Sequence, residues 1–222
     1  MSSKEIVKLL RANTGERDLH TVFGDFCSMS AIALRNRFDP HGHQEREDEY
    51  ERTRERYSEA QWVRFTEALA AVAIELSTEP RDVLGEVYMQ LEIASRDQGQ
   101  FFTPYSVCQL MAAMQVPGAA EQLQTLPFLT VYEPACGAGA MVIAVAQELA
   151  SQGVDCTTQL HVTADDLSLT AVHMAYIQLT LLGIPAVVNH RNSLTLEHFD
   201  AWPTSAHTLG EWDRKLSTRR TG

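Results

Sequence analysis

An α/β fold is predicted for this 222-residue chain: a helical amino-terminal region, then a small parallel sheet of about three strands in the order 3-2-1. Three observations predict it. Up to about residue 97 the apolar residues recur at helical spacing. From Phe101 onward short apolar runs alternate with helical segments, the pattern of a parallel sheet. Strand–helix–strand units need right-handed crossovers, and these place the three strands in that order.

Each element has its own signal. Ser2 to Ala12 is a short amphipathic helix, and Asp18 to Arg37 carries Leu19, Val22, Phe23, Phe26, Met29, Ile32 and Leu34 at helical spacing. The charges of Gln44 to Arg56 alternate in sign, which suits a solvated helix held by i,i+4 pairs. Trp62 to Leu76 is an apolar helix with Trp62, Phe65, Leu69, Val72 and Ile74, and the Glu79–Asp82 turn separates it from another that starts near Asp82. Leu126 to Glu133 is the first buried strand, followed by glycines and a helix over Gly139 to Ser151. Gln159 to Asp165 is the second strand, Thr170 to Leu182 its helix, and Pro185 to His190 the third strand. A short helix over Thr204 to Leu216 ends the pattern.

Composition narrows the function. No run of 18 apolar residues is present and Met1 to Leu10 lacks the apolar core of a signal peptide, so no membrane association and a cytoplasmic location are expected. Cys27, Cys108, Cys136 and Cys156 form no Cys-x-x-Cys pair and no zinc pattern with the histidines, which implies reduced thiols and no metal. The net charge is -11, and between Arg96 and Arg191 there is no lysine or arginine. Because cations supply most sequence-independent affinity for DNA, this surface would bind DNA only weakly or through a partner.

Two places carry chemistry. Glu133-Pro-Ala-Cys-Gly-Ala-Gly-Ala140 lies where a strand ends and a helix begins, so Gly137 and Gly139 can form a tight turn that brings backbone N–H groups to a ligand. A carboxylate just before that turn, Glu133, can hold an ammonium group such as the amino-acid end of S-adenosylmethionine. At the end of the second strand stand Asp165 and Asp166. An acid there suits the two hydroxyls of an adenosine ribose. Asp166 is the choice, since Leu-Ser and then the helix follow it; Asp165 is expected to cap that helix. Cys136 has no basic neighbour to activate it and reads as a packing residue. His161, His173 and His190 fall in apolar elements and read as core or surface histidines.

Asp82-Val-Leu-Gly-Glu-Val-Tyr88, Gly99-Gln-Phe-Phe-Thr-Pro-Tyr-Ser-Val107 and Glu133-Pro-Ala-Cys-Gly-Ala-Gly139 together resemble the N-6 adenine-specific DNA methyltransferase family, in particular the modification subunits of type I restriction–modification systems. The resemblance spans about residues 82 to 196. It implies a Rossmann-like class I methyltransferase sheet, truncated after the cofactor-binding half, and S-adenosylmethionine as cofactor. Cofactor contacts are then implied at Phe102, Thr103 and Pro104, and at Glu133, Pro134, Ala135, Gly137 and Gly139. The implied organisation is a helical region over 1–97, a cofactor-binding half over 98–196 and a tail over 197–222.

The chain departs from the family in two places. Where the family has Gly-Asp after the third strand, to read the cofactor adenine, this chain has Arg191-Asn-Ser-Leu194; the Asn192 amide can still bond an adenine edge. The Asn/Asp-Pro-Pro-Tyr/Phe motif that holds the target adenine is absent, and Asp200-Ala-Trp-Pro203 has its ingredients in the wrong order, with no strand expected before it. No catalytic residue is assigned. The alternatives are an adenine methyltransferase completed by another chain, and a non-catalytic interaction or anti-restriction protein of a mobile element that binds a methyltransferase or restriction complex. The first strand would also be an open apolar edge. Ala201 to Leu216 with Trp202, Leu209, Trp212 and Leu216, a second copy making a homodimer, or a restriction–modification or DNA-recognition subunit could cover it.

Overall fold

The computed structural model describes residues 3–91 and 103–220. The amino-terminal region folds as α1 (Ser3–Arg11), α2 (Leu19–Arg35), α3 (His43–Arg54), α4 (Glu59–Thr78) and α5 (Val83–Gln90). Their starts follow from the sequence. Asp18 accepts from the Thr21 amide at 2.9 Å to cap α2, and Ser58 and Gln61 form a capping box on α4. Helix α3 is exposed as expected, with Thr53 alone buried. Its cations, however, are used between elements: Arg46 bonds the Asn36 side chain at 2.8 Å and the Asp39 carbonyl at 2.7 Å, beyond the end of α2. Ile74, read as part of an apolar face, is exposed on α4.

The second part comprises α6 (Tyr105–Gln115), α7 (Ala119–Gln122), β1 (Leu129–Glu133), α8 (Ala140–Ser151), α9 (Cys156–Gln159), β2 (Leu160–Asp166) and α10 (Leu169–Leu181). It continues through β3 (Ala186–Arg191), β4 (His198–Pro203), α11 (Ser205–Leu209) and α12 (Trp212–Arg220). Strands β1, β2 and β3 are parallel and adjacent in that order, as predicted. Helices α6, α7 and α9 and strand β4 were not foreseen.

Helix α10 is the central element. Ala171 to Thr180 are all buried, because the helix rests on β2 and β3 with one side while α2 and α5 cover the other. The helical region and the sheet therefore share one continuous core, from Phe23, Phe26 and Tyr88 to Val162, Val188 and Trp202. A polar clasp crosses it. The Gln178 amide donates to Asp82 Oδ1 at 2.9 Å and to the Ala138 carbonyl at 2.7 Å, and its oxygen accepts from the Leu84 amide at 3.0 Å. Gly85 is obligatory beside it: a Cβ there would lie 2.0 Å from Asp82 Oδ2.

The carboxy-terminal segment takes a different course from the one expected. β4 is antiparallel and pairs with β3, on the side of the sheet away from β1. Trp202 is buried against His173 and Tyr176 with Arg35 over its ring, while Leu209 is 70% exposed. Trp212 is fully buried and meets Phe128 at 5.0 Å and His161 at 5.2 Å, so the tail reaches only the foot of β1. Among the described residues the outer edge of β1 pairs with no strand. No helix of the described residues is long and apolar enough to cross a membrane.

Candidate functional site

Three parallel strands end side by side, and each ends on a polar group. Glu133 closes β1, Asp166 closes β2, and Asn192 follows β3. Register fixes this arrangement: Glu133 pairs with Ala164, and Asp166 pairs with His190. Between β1 and α8 the chain makes the glycine turn, with Gly137 at φ 55° and Gly139 at φ 96°, conformations that L side chains resist. At Gly139 a Cβ would meet Ala175 at 3.5 Å, an ordinary contact, so it is the positive φ that resists a side chain there.

Side chains from neighbouring strands pin this turn. Asp166 Oδ2 accepts from the Gly137 amide at 2.8 Å, and Oδ1 accepts from the Ser168 amide at 2.8 Å. Glu133 Oε1 accepts from the Ala135 amide at 3.2 Å. The Cys136 amide donates to the Asp165 carbonyl at 2.9 Å, and the Ser193 hydroxyl donates to the Pro134 carbonyl. Asn192 Oδ1 accepts from the Leu194 and Thr195 amides, which folds the loop after β3.

The two adjacent aspartates differ from the sequence reading. Asp165 does not cap α10; Ser168 does, accepting from the Ala171 amide. Asp165 is fully buried and accepts from Tyr132 Oη at 2.8 Å and Asn189 Nδ2 at 2.7 Å, with Arg191 at 3.6 Å. It is the structural acid, whereas half-buried Asp166 faces the turn. Each Asp166 oxygen uses one acceptor site within the chain and has capacity for a second hydrogen bond.

Thr103 and Pro104 are exposed at the start of α6, and Phe102 lies outside the described residues. The buried Cys108 thiol, one turn into α6, is pushed up by burial first, then by Asp82. Pro134 and Ala135 form the exposed crest of the turn. Cys136 is buried and its thiol is held well above the ordinary range by burial, then by Asp166 and Glu133, consistent with packing.

Sequence reasoning missed the apolar neighbours of these groups. Leu167, directly after Asp166, is 59% exposed, and Leu194, after Asn192, is 95% exposed. His190 Nε2 donates to the Leu167 carbonyl at 3.1 Å and so fixes the approach to Leu167. Exposed leucines beside polar strand ends suit the faces of a purine. Their signal in the sequence was the apolar residue next to each polar one. It reads equally well as core.

The donor set fits S-adenosylmethionine: a carboxylate for the ammonium, a second for the ribose diol, an amide for the adenine edge, and apolar side chains beside them. A family model described as N-6 DNA methylase matches residues 79–211, more than half of the chain. Comparison with curated proteins gives no match.

Proposed function

The chain belongs to the N-6 DNA methylase family, and from that premise we propose that it binds S-adenosylmethionine across the ends of β1, β2 and β3. The observation that carries this reading is that Glu133 and Asp166 both bond the turn that holds Gly137 and Gly139, while the loop bearing Asn192 reaches the same turn through Ser193 and Pro134. Glu133 holds the ammonium, Asp166 the ribose hydroxyls, and Asn192 the adenine edge between Leu167 and Leu194. Thr103 and Pro104, with Phe102, are assigned by family resemblance to the methionine end. The bound cofactor supplies an electrophilic sulfonium methyl. This chain's residues orient that methyl, and residues outside this sequence hold the target adenine in DNA, as in a restriction–modification assembly.

Calorimetry with S-adenosylmethionine tests the site. Glu133→Ala and Asp166→Ala should each weaken binding roughly 10- to 100-fold, the worth of a charge-assisted hydrogen bond. Unchanged affinity in both would reject the assignment. Transfer is tested with labelled cofactor and unmethylated DNA, with the chain alone and with a DNA-recognition subunit.

One observation favours a second, non-catalytic reading, that of a protein binding a methyltransferase or restriction complex. A doubly wound sheet pairs its fourth strand with the free side of the first, and the ligand sits at that switch point. Here β4 lies beyond β3 instead. Cofactor binding without label transfer in any combination, together with co-purification of a modification subunit, would establish this second reading.

A further inference from the structure

The glycine turn is held from two directions. From the strand ends, the Asp165 carbonyl, the Asp166 carboxylate and the Ser193 hydroxyl bond it. From the core, Gln178 of α10 donates to the Ala138 carbonyl at 2.7 Å, and Ala138 stands between the two positive-φ glycines. The turn also rests on the same helix, since a Cβ at Gly139 would lie 3.5 Å from Ala175 and 4.0 Å from Leu179.

Only one orientation of the Gln178 amide satisfies its surroundings. Its oxygen accepts from the Leu84 amide at 3.0 Å, and its NH2 group donates to Ala138 and, at 2.9 Å, to Asp82 Oδ1. Turned over, it would set an NH2 group against an N–H and an oxygen against two acceptors. The side chain is fully buried, so loss of any of these bonds leaves a polar group unpaired in the core. Asp82 is fixed in its turn, because Oδ1 also accepts from the Gly85 amide at 2.9 Å. Helix α8, which begins at the glycine turn, is tied to the same stretch by Gln147, which donates to the Pro80 carbonyl.

What Gln178 holds is a peptide plane. Rotation of the Ala138–Gly139 peptide changes ψ of Ala138 and φ of Gly139, and glycine offers little resistance to it. Two bonds oppose the rotation. The Gly139 N–H donates to the Cys136 carbonyl at 2.8 Å, and Gln178 grips the Ala138 carbonyl. Without the second, the carbonyl is free to turn out of the core, and the bend between Glu133 and α8 loses its set shape.

We infer that Gln178 is a positioning residue for the amino-acid end of the cofactor, acting through the Ala138 carbonyl, and that Asp82 extends this control to α5. The inference rests on the cofactor reading above and deepens it: through α5, the amino-terminal helical layer helps to shape the cradle. The adenosine end depends on this path less, because Asp166, Leu167 and Asn192 stand at or directly after the ends of β2 and β3.

Calorimetry tests this by comparing S-adenosylmethionine with adenosine, which lacks the amino-acid end, in proteins with native circular dichroism held below their melting transitions. Gln178→Met should weaken S-adenosylmethionine roughly tenfold and adenosine less than about twofold. Asp82→Ala should show the same selectivity, and the double variant should bind no worse than Gln178→Met alone, since both changes lie on one path. A purely structural role would lower both affinities alike or neither. A second measurement needs no variant and decides the matter if Gln178→Met fails to fold. In the wild-type chain S-adenosylmethionine should slow hydrogen exchange at the Leu84 and Gly85 amides, which report on the clasp, more than adenosine does at equal occupancy. Equal losses for the two ligands, no loss for either, or exchange that does not distinguish them overturns the positioning role and leaves the assignment of Glu133 and Asp166 standing. A wild-type chain that binds no S-adenosylmethionine rejects the cofactor reading and this role together.

Discussion

At the residue scale, one position separates what the sequence discloses from what it hides. The glycine turn, Glu133 and the acid pair at the end of β2 are legible because loop chemistry and strand-end position are local properties. The division of labour between Asp165 and Asp166 is not local. It depends on Tyr132 from β1 and Asn189 from β3 converging on Asp165, and on Gly137 turning towards Asp166. Gln178 is a sharper case. A single glutamine amid the buried apolar residues of α10 was the available signal, and its partners lie 94, 96 and 40 residues away. Gln178→Leu would strand the Leu84 amide and the Ala138 carbonyl in the core and strip Asp82 of its main donor. Burial already raises the Asp82 carboxyl above its usual range. A loss of about 3–5 kcal/mol is expected in denaturant melts. Gln178→Glu, which cannot donate to Ala138, should also fail to restore full stability.

At the element scale, the helices and parallel strands with strong apolar periodicity were legible, and the pieces set by tertiary context were not. Strand β4 was missed because His198-Phe-Asp-Ala-Trp-Pro203 carries an aspartate and a proline and leaves its first three residues exposed. As an antiparallel edge it needs only Ala201, Trp202 and Pro203 to face protein. Helix α6 escaped because its apolar residues lie on opposite sides, most of them towards solvent. The tail was one of three candidates for covering β1, and it pairs at the other edge instead, because two tryptophans announce burial without saying where. Trp212 is what fixes α12, so Trp212→Ala should cost about 3–5 kcal/mol. Hydrogen exchange should then show residues 205–218 losing protection while β2 and β3 keep theirs.

At the scale of the whole molecule, buried histidines set the response to acid. Burial, with His190 and Arg35 adding to it, pushes His173 down to about 3, and burial with His207 pushes His161 down to about 4. Unfolded histidines titrate near 6.5, so between those values the unfolded chain binds more protons than the folded one. The stability these neutral rings allow is complete above about pH 6.5 and declines as the pH falls towards 4 and 3. Melting temperature should drop over that window. His173 Nε2 has no hydrogen-bond partner, so His173→Phe should flatten the decline without lowering stability at pH 7.5 by more than about 1 kcal/mol.

The sheet order β1-β2-β3-β4 is also the order of synthesis. Every strand pairs with the one next to it along the chain, so each pairing closes a loop of about thirty residues or fewer, whereas the contact of α2 with α10 joins residues more than a hundred positions apart. Loop-closure entropy then assigns an order of events, with the strand–helix–strand units of the sheet as nucleus and the amino-terminal helical layer docking after the barrier. Chevron analysis would register this as Val188→Ala slowing folding, while Phe23→Ala chiefly speeds unfolding.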